Sequence, residues 1–303
     1  MTMIRLRLPA TSANLGPGFD ALALALDLYL EIEAVPAAQF SIHATGRNQD
    51  VCGSLTRNLL IETYKSVLAA EQKPVVPLAI RMQNGIPVGM GCGSSAAVRL
   101  AAVALASAFG ALDWNPAVIV ERAVQLEGHP DNVAACWHGG LTIAASAEQL
   151  AIVSIAPPKH WQALLVLPEI PLATSKARGL LPQNYQRNDV VSNLQSVALL
   201  TAAFALGRAE LMQAATRDWL HQPYRSRICP LLPALLPLAG SHGVISITLS
   251  GAGPAVMLLT QNPDPEQLRE AILERARPVC PVEILPAGLN HQGSEMQISL
   301  VTR

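Results

Sequence analysis

The chain opens on an alternation. Ile4, Leu6 and Leu8 are separated by Arg5 and Arg7, the period-2 pattern of a half-buried strand rather than the charged start and apolar block of a signal peptide. Residues 1–50 read as short strands, with a turn-rich stretch at 11–19 between two apolar runs. Helical spacing follows over 58–70, and 79–82 is a short strand running into a loop at 83–93. A long Ala-rich helix is predicted over 94–109, ending near Gly110. A second starts at Pro116, a good first-turn proline, and runs to about Leu126. The Pro-Pro break at 157–161 sets the expected domain boundary near residue 158, giving domains 1–158 and 159–303. Beyond it, 163–167 reads as a strand and 189–220 as strongly helical. Strands at 243–250 and 255–259 flank a glycine turn, 265–275 is helical, and 297–301 is a terminal strand. Strands and helices mix without regular alternation, so the fold class is α+β.

Composition narrows the function classes. A chain of 303 residues exceeds the usual domain size of roughly 100–150 and can bury a sizeable core. Hydrophobic residues make up 50% and charged residues 14%, which excludes a disordered protein. Lys+Arg total 21 against 22 for Asp+Glu, so the basic surplus expected of a nucleic-acid binder is missing. No apolar run reaches the roughly 18 residues of a membrane span, and Asp27 interrupts the apolar stretch 21–30. The five cysteines (Cys52, Cys92, Cys136, Cys229, Cys280) are scattered without a Cys-x-x-Cys pair. They read as small hydrophobes of a cytoplasmic protein, with no clustered zinc ligands.

The strongest local feature is Pro87-Val88-Gly89-Met90-Gly91-Cys92-Gly93-Ser94-Ser95-Ala96, continuing into Ala97 and the Ala-rich helix. Glycines at every second position let successive backbone N–H groups converge, and the helix start adds free donors and about half a positive charge. Together these suit a phosphate. The loop lacks the Gly-Lys-Ser/Thr of a Walker A motif, and its third glycine comes one residue early for a dinucleotide fingerprint. A plain glycine turn with a serine cap is the structural alternative.

The same residues resemble the ATP-binding signature of the GHMP kinases, Pro-x-x-x-Gly-Leu-Gly-Ser-Ser-Ala, except that Cys92 stands in the leucine position. Pro9-Ala10-Thr11-Ser12-Ala13-Asn14-Leu15-Gly16-Pro17-Gly18-Phe19-Asp20 resembles that family's N-terminal substrate motif. Ser250-Gly251-Ala252-Gly253-Pro254-Ala255, with Thr248 just before it, resembles its third glycine motif. The three occur in the family's order, so the resemblance covers essentially the whole chain. Gly128-His129-Pro130-Asp131-Asn132-Val133 is similar to the form in the branch that phosphorylates L-homoserine, with asparagine where other branches carry an aspartate base.

The resemblance implies a fold, a reaction and a set of site residues. The N-terminal domain would be related to ribosomal protein S5 domain 2 and the C-terminal one would be ferredoxin-like, with substrates in the cleft between. ATP would bind at residues 87–97, and Ser95 and Glu121 would hold Mg²⁺, oxygen ligands suited to a hard cation. Glu127 is the rival acid on the same segment. Asn14, Asp20, His129, Asn132, Arg178 and Arg225 would line the amino-acid site. Asp20 would take the ammonium group, and Arg178 and Arg225 the carboxylate by planar bidentate pairing, with Lys176 and Arg227 as nearby rivals. As plainer readings, Asn14 sits in ordinary turn chemistry, the arginines could be solvated, and His129 could be a loop residue. Asn132 and Arg178 are the catalytic candidates; Asn132 cannot take a proton, so it would orient the hydroxyl while a phosphate oxygen receives the proton.

The reaction so implied converts ATP and L-homoserine to ADP and O-phospho-L-homoserine, on the route to threonine, in a possible homodimer. A kinase for L-threonine or another small hydroxylated metabolite stays open, since one methyl group discriminates by only about 1–3 kcal/mol. A fold of this family that binds a ligand without transferring phosphate is the alternative from another class.

Overall fold

The computed structural model describes residues 2–146, 148–172, 177–261 and 265–300; Lys176 and the expected strand end at Val301 lie outside them. Two long antiparallel strands, β1 (Thr2–Asn14) and β2 (Gly18–Pro36), form the spine of the first sheet. Their inward residues Ile4, Leu6, Leu8, Leu30 and Ile32 are buried, while Arg5 and Arg7 face Glu33 and Glu31 on the outer side. The alternation of the sequence thus becomes the two faces of one sheet. The turn between them is only Leu15–Pro17, tighter than the turn-rich 11–19 expected, and the strands are correspondingly longer.

β3 (Ser41–Gly46) pairs parallel with β4 (Leu78–Asn84), and β11 (Glu295–Leu300) adds to β1, giving the order β11-β1-β2-β4-β3. β5 (Leu141–Ser146) pairs with β2, and β6 (Leu150–Ile155) with β5. Among the described residues five helices belong to this part: α1 (Gln49–Gly53), α2 (Leu59–Ala70), α3 (Ser94–Phe109), α4 (Pro116–Glu127) and α5 (Asp131–His138). The Asn58 side chain caps α2 by accepting from the Leu60 and Ile61 amides. α3 is central: Leu100 to Ala106 are all fully buried, because small alanines let it approach neighbours on every side. α5 was not foreseen, being short and opening within the His-Pro-Asp-Asn segment.

The second sheet is antiparallel, with β7 (Trp161–Pro168), β8 (Val244–Leu249), β9 (Val256–Gln261) and β10 (Val282–Ala287) in the order β10-β7-β9-β8. That is the ferredoxin-like arrangement. Its helices are α6 (Arg187–Ala205), α7 (Ala209–Ala215), α8 (Gln222–Arg225), α9 (Leu231–Leu235) and α10 (Pro265–Ala276). The strongly helical stretch expected over 189–220 is interrupted in two places. Gly207 adopts φ +65° after α6, and ahead of α8 the Asp218 carboxylate accepts from the backbone amides of Leu220, His221 and Gln222. The chain leaves the first sheet after β6 and enters the second at β7, but β11 comes back to β1, so a cut near residue 158 does not divide it cleanly. Among the described residues no helix is long and apolar enough to cross a membrane.

Candidate active site

The loop between β4 and α3 carries the three left-handed glycines, Gly89 at φ +73°, Gly91 at +80° and Gly93 at +72°. Alternating these with ordinary residues curls the backbone into a nest of N–H groups. Gly93 precedes α3 without any side-chain cap, which leaves the first-turn donors of a 16-residue helix open. Cys92, in the leucine position, is buried, and burial pushes its thiol up to about 12. It serves as an apolar anchor, and the five cysteines are all free thiols.

The third glycine motif folds over this loop. Ser250 Oγ donates to the Gly91 carbonyl at 2.9 Å, and the Ala255 amide donates to Met90 O at 3.3 Å. A Cβ on Gly91 would fall 2.1 Å from Ser250 O, so glycine is required by contact as well as by φ. Gly251 joins the N-terminal motif: its amide donates to Ala13 O, and its carbonyl accepts from Asn14 Nδ2 at 2.8 Å and Arg225 at 3.3 Å. Three segments distant in sequence therefore meet at Gly251.

A cleft of about 570 Å³ runs along the loop. Val51, Cys52, Leu60 and Met82, which sequence reasoning did not find, join Val88 in an apolar wall at one part of its lining. Ser94, Ser95, Glu127, His129, Asn132 and Arg178 line it as well. Such a mixture of apolar wall and convergent polar groups is what a nucleotide and a small polar acceptor need.

The structure places the two rival metal acids differently. Glu121 is exposed on α4 and does not line the cleft. Glu127, six residues on and on another face of the helix, accepts from Ser95 Oγ at 2.9 Å, and its Oε2 lies 2.8 Å from Arg99 Nε. Register along α4 separates the two acids, and spacing to Asn132 alone could not. Ser95 and Glu127 together offer the hard oxygen donors that fit Mg²⁺.

Arg178 donates to the two carboxylate oxygens of Asp20 through its two terminal guanidinium nitrogens, at 2.8 Å each. Asn14 is buried, and both ends of its amide are engaged, Nδ2 on Gly251 O and Oδ1 on the Asp20 amide at 3.1 Å. Expected to line the amino-acid site, it ties the third glycine motif to Asp20 through its side chain. Arg225 is 1% exposed, whereas its rival Arg227 is exposed. Arg225 NH1 faces His221 Nδ1 at 3.1 Å, and its guanidinium stacks 5.3 Å from the Phe19 ring. Its Nε has no hydrogen-bond partner among the described residues. Burial and the nearby Arg178 charge both lower its pKa from the ordinary value. A second positive charge so buried and so placed calls for an anion.

His129 Nδ1 lies 2.5 Å from Asp131 Oδ1. Burial alone would lower its pKa, but the Asp131 hydrogen bond and the nearby carboxylates outweigh it and hold the value above the ordinary one. Asp131 is buried, and the same Oδ1 also accepts from the Asn132 amide at 2.7 Å. Asp131 and Thr11, which donates to Asn132 at 2.6 Å, are site residues missed from sequence; only their position inside the two motifs could have signalled them.

Residues 58–140 match the GHMP kinases N terminal domain, and residues 200–277 match GHMP kinases C terminal. The chain is 42% identical over 257 residues to a homoserine kinase of Solibacter usitatus, covering 84% of each chain. It is 39% identical over 261 residues to one of Thermus thermophilus, covering 86% of this chain and 88% of that one. The solved homoserine kinase of Cytophaga hutchinsonii superposes with a TM-score of 0.82 at 23% identity over 97% of both chains. A phosphomevalonate kinase of Streptococcus pneumoniae shares the fold with a TM-score of 0.65 at 15% identity, over 95% of this chain and 100% of that one.

Proposed function

Because the chain belongs to the GHMP kinases, we propose that it transfers the γ-phosphoryl group of ATP to the side-chain hydroxyl of L-homoserine. The observation that carries the choice of acceptor is the Asp20–Arg178 fork, whose Arg178 lines the cleft of the glycine loop and shares the Phe19 ring with buried Arg225. An amino acid is a zwitterion, and this cluster offers an anion for its ammonium and two cations for its carboxylate. Each hydrogen bond to a charged group contributes about 1.5–3 kcal/mol, which selects such an acceptor over an uncharged alcohol.

In this reading the loop amides and the open end of α3 hold the triphosphate, without a loop lysine. Ser95 and Glu127 would hold Mg²⁺, which when bound would neutralise phosphate charge. Asn132 lies beside Gly93, within 3.1 Å of where a Cβ would stand, and so can meet both phosphate and acceptor. It orients the hydroxyl for in-line transfer without acting as a base, since a carboxamide cannot take the proton, and the neighbouring Asp131 Oδ1 is already engaged by His129 and Asn132. The loose transition state of phosphoryl transfer tolerates this: the hydroxyl proton passes to an oxygen of the transferred group.

The deciding experiment is ADP release with Mg-ATP, offering L-homoserine, L-threonine and mevalonate separately. Homoserine is expected to exceed the others in kcat/KM by at least about tenfold. Preference for threonine would overturn the substrate assignment, and tight ATP binding without turnover on any acceptor would overturn the kinase reading.

A further inference from the structure

Thr11 is fully buried on β1 and belongs to no contact that the reaction obviously needs. Its backbone amide donates to the Cys92 carbonyl of the glycine loop at 3.1 Å. Its hydroxyl reaches the other way, to Asn132 Oδ1 at 2.6 Å. The two meet hard against the third loop glycine: a Cβ on Gly93 would lie 1.9 Å from Thr11 Oγ1 and 3.1 Å from Asn132 Oδ1. Glycine at 93 is thus the space in which a hydroxyl and a carboxamide face each other.

We propose that Thr11 is a positioning residue that fixes the orientation of the Asn132 carboxamide, so that Asn132 offers an N–H rather than its carbonyl to the acceptor hydroxyl. The inference rests on the phosphoryl-transfer reading above and adds the direction of the hydrogen bond. Two contacts determine that direction. A separation of 2.6 Å suits O–H···O and is too short for N–H···O, so the Thr11 hydroxyl donates to an oxygen. At the opposite end, Asn132 Nδ2 lies 3.3 Å from the Asp131 carboxylate, where an amide oxygen would meet like charge. Turning the amide over would break both arrangements at once.

The consequence is chemical. With its oxygen tied to the Thr11 proton and one N–H turned towards Asp131, the amide has its second N–H left for a ligand. An N–H donated to the acceptor oxygen leaves that oxygen's lone pair and its own proton for the phosphate side. The oxygen then forms a bond to the γ-phosphorus as the bond to the ADP oxygen breaks, and the hydroxyl proton moves to an oxygen of the transferred phosphoryl group. Were Asn132 free to flip, its carbonyl would draw the hydroxyl proton away from the phosphate.

The test compares Thr11→Val, of nearly the same shape without the donor, with Thr11→Ser, which keeps it. Thr11→Val is expected to lower kcat about 10–100-fold while the KM for homoserine and the Kd for ATP stay within about threefold, and Thr11→Ser is expected to keep kcat within about threefold. In an Asn132→Ala background, Thr11→Val should cost nothing further, since the residue acts through the amide. The proposal is overturned if Thr11→Val keeps kcat within about twofold, if Thr11→Ser is equally damaged, or if the loss persists in the Asn132→Ala background. Crystal structures provide a readout that needs no acceptor: Asn132 should be turned or split between orientations in Thr11→Val and single in the parent, and an unchanged amide overturns the proposal. Inactivity of the parent on homoserine would instead sink the substrate reading and leave this structural outcome to decide. Should Thr11→Val not fold, Thr11→Ala is read by the same criteria.

Discussion

Arg178 holds both carboxylate oxygens of Asp20 at 2.8 Å across 158 positions of sequence. The side chains are 43% and 30% exposed, so the pair contributes little to stability. In the proposed reading its value lies in readiness: two opposite charges face one another where a zwitterion would part them. Arg178→Met is expected to raise the KM for homoserine about 10–100-fold, corresponding to one or two lost charged hydrogen bonds, with the KM for ATP nearly unchanged. Arg178→Lys should recover only part of this, because an ammonium group cannot reproduce the fork. Steady-state kinetics with each substrate varied in turn decides it; an equal rise in both KM values would refute a role confined to the acceptor.

The two α4 acids make a paired prediction. Glu127→Gln should raise the Mg²⁺ concentration needed for half-maximal rate by at least about tenfold, and Glu121→Gln should shift it by less than about twofold. Arg99 sits against Glu127 and competes with a cation for it, so Arg99→Gln should lower the Mg²⁺ requirement. Magnesium titrations at saturating substrates measure all three. A Mg²⁺ requirement that follows Glu121 would overturn the assignment.

Gly91→Ala forces a methyl group to within 2.1 Å of Ser250 O at a backbone angle of φ +80°. Loop and third motif must separate to admit it. The expected outcome is at least about tenfold weaker ATP binding together with a lower Tm, as backbone strain of this kind costs of order 1–3 kcal/mol. Calorimetric titration and thermal melting test it, and wild-type values in both would refute the need for glycine at this contact.

His221 is fully buried, faces an Arg225 NH1 donor through Nδ1 and reaches Gly16 O through Nε2 at 2.7 Å. Burial, and after it the Arg225 charge, lowers its pKa, against the pull of Asp218. In the unfolded chain it titrates near 6.5. Below that pH the unfolded state binds a proton that the native state refuses, so stability is present above about 6.5 and is lost as pH falls. Denaturant unfolding of wild type between pH 5 and 7 should therefore fall more steeply than that of His221→Gln, by up to about 1.4 kcal/mol per pH unit. Parallel slopes would show that His221 is protonated in the native state.

The amino-acid sequence by itself determined most of the local structure. The Arg-Leu alternation of residues 4–8 became β1, and the Gly-x-Gly-x-Gly-Ser-Ser run became a nest opening onto α3 at Ser94. Strand alternation, glycine freedom and helix capping act over a few residues, so they can be read along the chain. The order of three separate motifs was equally legible and pointed to the family. Tertiary structure alone decided which side chains meet. Glu127 rather than Glu121 reaches Ser95 because α4 turns one face to the loop, and a helix face is set by packing against α3. Arg225 rather than Arg227 is buried because the break before α8, held by Asp218, points that turn inwards. Thr11 reaches Asn132 only because β1 and α5 pack together, 121 positions apart. Contacts of that separation depend on the closure of the whole fold, and no local pattern encodes them.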